Sequence, residues 1–240
     1  MLCNLMNESW ALYIDEEGFA QHWDDTMSAF LGLNALMEAI CRIGMRVFPE
    51  PVDRLFCYQF GDGFLITSDF HEKNLSRAVL ITISILRHML FVKRVARACL
   101  VEGNVSDIAG CYPTEVRNQS DRSRVNLGAG LLLISPVLGE GLLRSVGLSK
   151  KEPRGPLFLV DSKLKARLPT DIELSDAEGG VISLNWLKGE PDGLLPLQQK
   201  AGLHMESEDK RISKMTEYLQ TYTSVNKKWK SGVNNYLLRD

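Results

Sequence analysis

The sequence lacks any long, uninterrupted hydrophobic run. Its longest apolar segment, from Ala78 to Val92, contains Arg87 and His88 and is too short and too polar to span a bilayer. The N-terminus has neither a basic region nor a clean apolar stretch, so we expect no secretory signal. These absences predict a cytoplasmic protein that does not bind a membrane.

Cysteine pairs and an excess of basic charge are also missing. The chain has 5 cysteines, none in a Cys-x-x-Cys pair or at zinc-site spacing, so neither a disulfide framework nor a zinc knuckle is predicted. Its 28 basic and 30 acidic residues give a net charge of −2, which does not favour nucleic-acid binding. The 4 histidines show no ligand spacing and are interpreted as surface or packing residues.

What is present is a pattern of strands and helices over the first hundred residues. An apolar strand ends at Asp15, and helical spacing follows from Asp24 to Gly44. Two aromatic runs within residues 54–67 flank a Gly-Asp-Gly turn and predict a hairpin. A second helix over 72–91 and a strand over 95–101 complete the order β-α-β-β-α-β. This order predicts a ferredoxin-like α+β core, an antiparallel sheet with two helices on one face.

The remaining chain gives weaker signals. We expect a domain over 1–165 and, over 166–240, an irregular segment with a C-terminal helix packed on the same domain. The finer expectations are a loop over 107–125, a helix over 135–147, a strand over 157–160, irregular chain over 166–203 and a terminal helix over 206–225. The apolar segment from Leu127 to Leu138 fits either core or an interface, and core is the default.

Two aspartates stand at special places in this frame. Asp15 ends the first strand and Asp62 lies in the hairpin turn, so the predicted sheet brings their carboxylates side by side. Like charges repel unless a proton or a cation intervenes, and Mg²⁺ or Mn²⁺ with oxygen ligands is the natural partner. The alternative is ordinary turn chemistry at Asp62 and a solvated Asp15.

Three segments, in order, resemble class III nucleotide cyclases over about residues 8–105. Residues 13–19 (Tyr-Ile-Asp-Glu-Glu-Gly-Phe) resemble the family's opening strand and phosphate loop. Residues 60–65 (Phe-Gly-Asp-Gly-Phe-Leu) resemble its second metal motif. Arg97, six positions before Gly103, resembles the arginine of a later strand. The resemblance implies a cyclase catalytic domain over 1–165.

The resemblance also implies roles for single residues. Asp15, Asp62 and the backbone carbonyl of Glu16 would hold two Mg²⁺ or Mn²⁺ ions. Arg97 would bind the triphosphate, and Phe19 would pack under a loop whose amides, from residue 17 to 20, receive phosphate oxygens. The alternatives are an ordinary salt bridge for Arg97 and plain core packing for Phe19.

The departures from the family pattern concern the base and the transition state. Phe56 stands near the place of a lysine in purine cyclases, and Tyr58, two residues on, is placed to stack on a base. Both residues also fit simple sheet core. The family's helix with an asparagine and an arginine four residues apart is missing, and Arg144 is a candidate substitute.

With these departures, the pattern is most similar to the pyrimidine cyclases of bacterial anti-phage Pycsar systems. That similarity implies a head-to-tail homodimer that converts UTP or CTP to the 3′,5′-cyclic nucleotide and pyrophosphate, with the product read by a separate effector protein. The alternatives are an inactive cyclase-like module that binds nucleotide, a purine nucleotide cyclase and, last, a diguanylate-cyclase-like enzyme, whose Gly-Gly-acid-acid-Phe hairpin is absent.

Overall fold

The computed structural model describes residues 9–19, 26–68, 70–121, 123–221 and 226–239, with the backbone alone for 26–29 and 119–121. The first hundred residues form the predicted order of elements. These are β1 Ser9–Glu16, α1 Thr26–Arg46, β2 Phe56–Phe60, β3 Gly63–Thr67, α2 Ser76–Phe91 and β4 Ala96–Gly103. The predicted helix start at Asp24 and Asp25 lies outside the described residues, as does His22.

These four strands pair in the order β4-β1-β3-β2, and every pairing among them is antiparallel. Buried apolar side chains of α1 and α2, such as Leu36 and Leu86, belong to the core that covers one face of this sheet. The predicted ferredoxin-like α+β arrangement is therefore confirmed. β1 is the central strand, and seven of its eight residues are buried.

The later chain extends the same sheet. β10 pairs in parallel with β4, and two further strands complete a seven-stranded sheet in the order β11-β12-β10-β4-β1-β3-β2. The additional elements are β5 Ser106–Asp107, α3 Thr114–Gln119, β6 Ser120–Asp121, β7 Arg124–Leu127, β8 Gly130–Leu133, β9 Val137–Leu138, α4 Glu140–Ser149, β10 Phe158–Asp161, β11 Leu174–Ala177, β12 Val181–Leu184, α5 Leu194–Ala201, α6 Glu208–Thr221 and α7 Lys227–Tyr236. Strands from both sides of residue 165 thus share one sheet.

Several expectations for this later part are wrong. Residues 166–203 are not irregular, because they contain β11, β12 and α5. The segment 107–125 contains α3 and short strands, and the helix expected from residue 135 begins at Glu140. A second C-terminal helix, α7, follows α6. Strands of four residues carry too little alternation to be recognised, which explains why β11 and β12 were missed.

The expectation that residues 127–138 form core is also wrong. Leucines of β7, β8 and the following segment are largely exposed, and Leu143 of α4 is also 66% exposed. We call these exposed residues together the leucine patch; they are Leu127, Leu131, Leu132, Leu133, Leu138 and Leu143. In the part of the chain that the structure describes, no helix is long and apolar enough to cross a bilayer.

Helix α4 covers one end of the second sheet face. A Cβ atom on Gly141 would lie 2.8 Å from Cβ of Ala11, and one on Gly103 would lie 2.7 Å from the Gly141 nitrogen. The helix backbone therefore rests directly on β1 and β4, near residues 9–11 and 101–103. The opposite end of β1, where Asp15 lies, is left for other contacts.

Two glycines of α1 provide a matched test of this packing. A Cβ atom added at Gly44 would have no other heavy atom within 4 Å, so Gly44→Ala should stabilise the helix by about 0.5–1 kcal/mol. A Cβ on buried Gly32 would overlap the Glu16 carboxylate, so Gly32→Ala should destabilise the protein by about 1–3 kcal/mol. Thermal unfolding should show a higher Tm for the first variant and a lower Tm for the second. Equal effects would contradict the placement of Glu16 against α1.

Candidate active site

The register of β1 with β3 brings the two predicted aspartates to one place. Asp15 pairs with Gly63, and Asp62 immediately precedes Gly63 in the hairpin turn. A Cβ on Gly63 would lie only 3.0 Å from Oδ1 of Asp15, so this carboxylate lies over the first residue of β3. The side chain of Asp15 thus reaches the turn that carries Asp62.

The electrostatics of Asp15 are unusual for a strand end. Burial, then the neighbouring Asp62 and Glu17 carboxylates, raise the pKa of Asp15 to about 7, against the opposing effect of Arg97. Its Oδ1 atom is buried without a hydrogen-bond partner among the described residues. A buried, unpaired carboxylate oxygen carries a large free-energy cost that a bound cation would remove.

Glu16 can contribute its backbone carbonyl to this site, whereas its side chain points to the other face of the sheet. The Glu17 amide donates to the Val95 carbonyl at 2.9 Å, so the trans peptide directs the Glu16 carbonyl away from β4, toward the hairpin. The Glu16 side chain points to the helix face, where it is fully buried with Oε1 3.8 Å from Nε of Arg94. The same hydrogen bond engages the Glu17 amide, which corrects the expectation that this amide receives a phosphate oxygen.

This donor set fits a hard divalent cation. Two carboxylates and a carbonyl are oxygen ligands, and Mg²⁺ commonly takes one or two carboxylates together with waters and substrate phosphates. Across the described ranges, no group of three or more His, Cys, Asp or Glu side chains is arranged to hold a metal. Two carboxylates and one carbonyl leave coordination positions that waters and substrate oxygens would fill.

Arg97 lies on the same face, directly opposite Asp15 in the register of β1 with β4. It is 3% exposed, and its guanidinium donates from Nη1 to the Gly155 carbonyl at 3.0 Å and from Nη2 to the Lys151 carbonyl at 2.9 Å. The side chain is thus held under the turn formed by residues 151–155. Its role toward a triphosphate stays a prediction, since that turn covers it.

The structure does not bring Arg144 to the aspartates within one chain. Its Nη2 atom donates to Oδ2 of Asp161 at 2.5 Å, and Nη1 donates to the Glu102 carbonyl at 2.8 Å. Glu102 pairs with Trp10, five residues along β1 from Asp15, a separation of about 17 Å. Arg144 is therefore too far from Asp15 and Asp62 of its own chain, and it could contact these two aspartates only in a second copy of the chain.

The aromatic residues of β2 line the same face of the sheet. Register pairs Phe60 with Gly63 and Tyr58 with Leu65, so Phe56, Tyr58 and Phe60 follow one another on the side where Asp15 lies. All three side chains are half-buried. Burial and the nearby Asp107 raise the pKa of Tyr58. Phe19 is half-buried at the end of the described loop after β1.

Sequence reasoning missed the contribution of Tyr13. A Cβ on Gly63 would collide with the Tyr13 ring and hydroxyl, so this ring covers the glycine beside the Asp15 carboxylate. Burial and the Asp15 and Asp62 carboxylates raise the pKa of Tyr13, which keeps its hydroxyl protonated. The signal was available, because Tyr13 and Asp15 are two residues apart on one strand and share a face.

Sequence reasoning also missed a contact between two residues that are far apart in the sequence. Nε1 of Trp229, in α7, donates to Oε2 of Glu17 at 2.9 Å. Nothing in the local pattern around either residue indicates this contact. The C-terminal helix thereby touches the loop that follows Asp15.

Comparisons with known proteins find similarity in fold and none in sequence. No protein-family model matches the chain, and no curated protein sequence matches it. It is similar to the catalytic core of a rhodopsin-guanylyl cyclase with converted specificity, solved with ATPαS, at 11% identity and a TM-score of 0.46, covering 74% of this chain and 95% of that one. It is also similar to a bacterial light-regulated adenylyl cyclase at 14% identity and a TM-score of 0.47, covering 82% of this chain and 56% of that one.

The carboxylate pair can be tested by thermal unfolding with and without Mn²⁺. Asp15→Asn removes a buried charge, so the metal-free variant should unfold at a higher temperature than the wild type. At about one hundred times its dissociation constant, Mn²⁺ should raise the wild-type Tm by about 5–10 °C and should have little effect on Asp15→Asn or Asp62→Asn. Asp176→Asn, which changes an exposed carboxylate on β11, is the control and should respond like the wild type. A full Mn²⁺ response in Asp15→Asn would contradict the site.

Proposed function

We propose that this chain is a metal-dependent nucleotide cyclase that converts UTP or CTP to the 3′,5′-cyclic nucleotide and pyrophosphate. The observation that supports the proposal is the meeting of Asp15 with the turn that carries Asp62, with one buried carboxylate oxygen left without a partner among the described residues. The Glu16 carbonyl, directed to the same place, adds a third oxygen.

The mechanism is an internal phosphoryl transfer. Two divalent ions, Mg²⁺ or Mn²⁺, would lower the pKa of the ribose 3′-hydroxyl and neutralise charge on the departing pyrophosphate. Asp15, Asp62 and the Glu16 carbonyl would hold these ions. The Tyr13 ring, packed over Gly63, would form the floor of the site beside the Asp15 carboxylate. The chain forms no covalent bond to substrate, so positioning and electrostatic stabilisation supply the catalysis.

The pyrimidine preference rests on β2. Phe56 and Tyr58 stand on the face that carries Asp15, and both are half-buried aromatic side chains suited to stacking on a base. Neither residue supplies the charge of the lysine that the resemblance places near Phe56 in purine cyclases. We propose that the cyclic product serves anti-phage defence in bacteria, where a separate effector protein reads it.

One observation favours a second candidate, a cyclase-like module that binds a nucleotide without turning it over. The Arg97 guanidinium is held by two backbone carbonyls of the 151–155 turn, and Arg144 lies at the other end of β4. In this conformation, neither the Arg97 nor the Arg144 guanidinium would contact a triphosphate bound at Asp15 and Asp62 of the same chain. Catalysis would then need either movement of the turn or a second chain.

We propose that the second chain comes from a head-to-tail homodimer. The leucine patch exposes six leucines from β7, β8, β9 and α4 at 40–69% each. The β7–β8 register places Leu131 and Leu133 on one face of the hairpin and Leu127 and Leu132 on the other, and so many exposed leucines in one short segment favour an interaction site. A second copy would cover the patch and could bring its own α4, with Arg144, toward the aspartates.

A nucleotide panel tests the activity. Purified protein with Mn²⁺ and each of UTP, CTP, ATP and GTP should release pyrophosphate and a cyclic product with a pyrimidine nucleotide, as resolved by mass spectrometry. Asp62→Asn should lower the rate about 100-fold or more, because it removes a metal-binding charge. Asp176→Asn should keep the wild-type rate. Binding without a cyclic product from any nucleotide would favour the inactive module, and a purine product would overturn the pyrimidine assignment.

The homodimer is tested by placing a charge on the leucine patch. Leu133→Glu, at a position 69% exposed on β8, should shift the molar mass in light scattering from dimer to monomer. Leu195→Glu, on α5 and 49% exposed, changes a surface leucine outside the leucine patch and should leave the mass unchanged. A dimer that persists in Leu133→Glu would show that the patch is not the interface.

A further inference from the structure

The C-terminal helix contacts the candidate cation site through one side chain. Trp229 is 8% exposed and packs on Tyr218 of α6, with ring centroids 6.0 Å apart. Its indole N–H donates to Oε2 of Glu17 at 2.9 Å, across 212 positions of sequence. An indole nitrogen donates only, so its natural partner is a negatively charged oxygen such as this one.

Glu17 carries a third carboxylate close to the Asp15 and Asp62 pair. It follows Asp15 by two positions, and its charge is among the causes that raise the pKa of Asp15, after burial and Asp62. Without a fixed partner, its flexible side chain could turn toward the same cation. Additional carboxylate ligands tighten divalent binding and occupy positions that substrate oxygens would otherwise take.

The place of the indole is fixed by the packing of α7 on the 151–155 turn. A Cβ on Gly232 would overlap the Arg154 carbonyl, and one on Gly155 would lie 3.3 Å from the Trp229 carbonyl. Nζ of Lys228 lies 3.1 Å from a carboxylate oxygen of Glu152. On its other side the turn is held by Arg97, whose guanidinium donates to two of its carbonyls.

The geometry points to Trp229 as a positioning residue: its indole N–H holds the Glu17 carboxylate off the cations bound by Asp15 and Asp62. This inference rests on the proposed function for the identity of that site. It assigns α7 a role in the site, since the helix keeps the number of carboxylate ligands at two. Positions for phosphate oxygens and water then remain open on the bound ions.

The test compares two tryptophan-to-phenylalanine changes, one at Trp229 of α7, which contacts Glu17 after the last residue of β1, and one at Trp10 near the first residue of β1. Trp229→Phe keeps a ring and removes the N–H to Glu17, whereas Trp10→Phe removes an indole N–H that donates to Glu72. Calorimetric titration with Mn²⁺ alone, without nucleotide, gives the metal affinity of each protein. We expect Trp229→Phe to bind Mn²⁺ about ten-fold more tightly than the wild type and Trp10→Phe to match the wild type.

Removal of the released carboxylate should reverse the effect. The double variant Trp229→Phe with Glu17→Gln should return to wild-type Mn²⁺ affinity, because no third charge remains to join the site. Glu17→Asp, which withdraws the carboxylate from the indole by one methylene, gives a second route to tighter binding if Trp229→Phe does not fold. In turnover, Trp229→Phe should lower kcat and leave the KM for nucleotide nearly unchanged.

The outcomes separate the two proposals. Tighter Mn²⁺ binding that Glu17→Gln reverses supports the role of Trp229, even if no nucleotide is cyclised and the proposed activity fails. Cyclisation by the wild type together with equal Mn²⁺ affinity in all variants overturns the role of Trp229 and leaves the activity standing. Absence of Mn²⁺ binding by the wild type, both alone and in the presence of a UTP analogue that cannot cyclise, overturns both.

Discussion

The pairing of β1 with β3 is the constraint on which the rest of the site depends. It places Asp15 opposite Gly63, one residue beyond Asp62, and it places the Tyr13 ring over the same glycine. A slip of one residue would turn Asp15 to the helix face and Glu16 to the site face. Packing on both buried faces of β1 opposes such a slip, because it would exchange the large helix-face side chains Trp10, Leu12 and Ile14 with those of the other face.

Neighbouring residues of β1 show how the two faces differ. Asp15 and Glu16 are both carboxylates whose pKa is raised to about 7, with burial as the first cause in each case. Glu16 has Arg94 beside it on the helix face. Asp15 faces Asp62 and a cation, Arg97, whose guanidinium donates to the 151–155 turn. Both Glu16 oxygens, like Oδ1 of Asp15, lack a hydrogen-bond partner among the described residues, so the hairpin turn with Asp62 beside Asp15 marks the Asp15 face as the candidate cation site.

The sequence was sufficient for the parts of the fold that local pattern determines. The long buried strand ending at Asp15, the Gly-Asp-Gly turn and the two helices predicted both the sheet order and the meeting of the aspartates. Contacts between distant segments left no such signal. The carbonyl partners of Arg97 lie 54 and 58 positions away, and the indole that holds Glu17 lies 212 positions away.

Exposure was equally difficult to predict from composition. Leucines in the segment 127–138 have the character of core residues, yet β7 and β8 form a separate three-stranded sheet with β6, outside the seven-stranded sheet. Whether an apolar run packs inside or on the surface depends on which element covers it. That information is tertiary, or belongs to a second chain.

The most direct measurement is anomalous diffraction from crystals grown with Mn²⁺ and a UTP analogue that cannot cyclise. The central claim predicts manganese peaks bridging the Asp15 and Asp62 carboxylates, at about 2.0–2.3 Å from their oxygens, with triphosphate oxygens completing the coordination. Manganese bound elsewhere, with the Asp15 carboxylate in contact with protein groups alone, would contradict it.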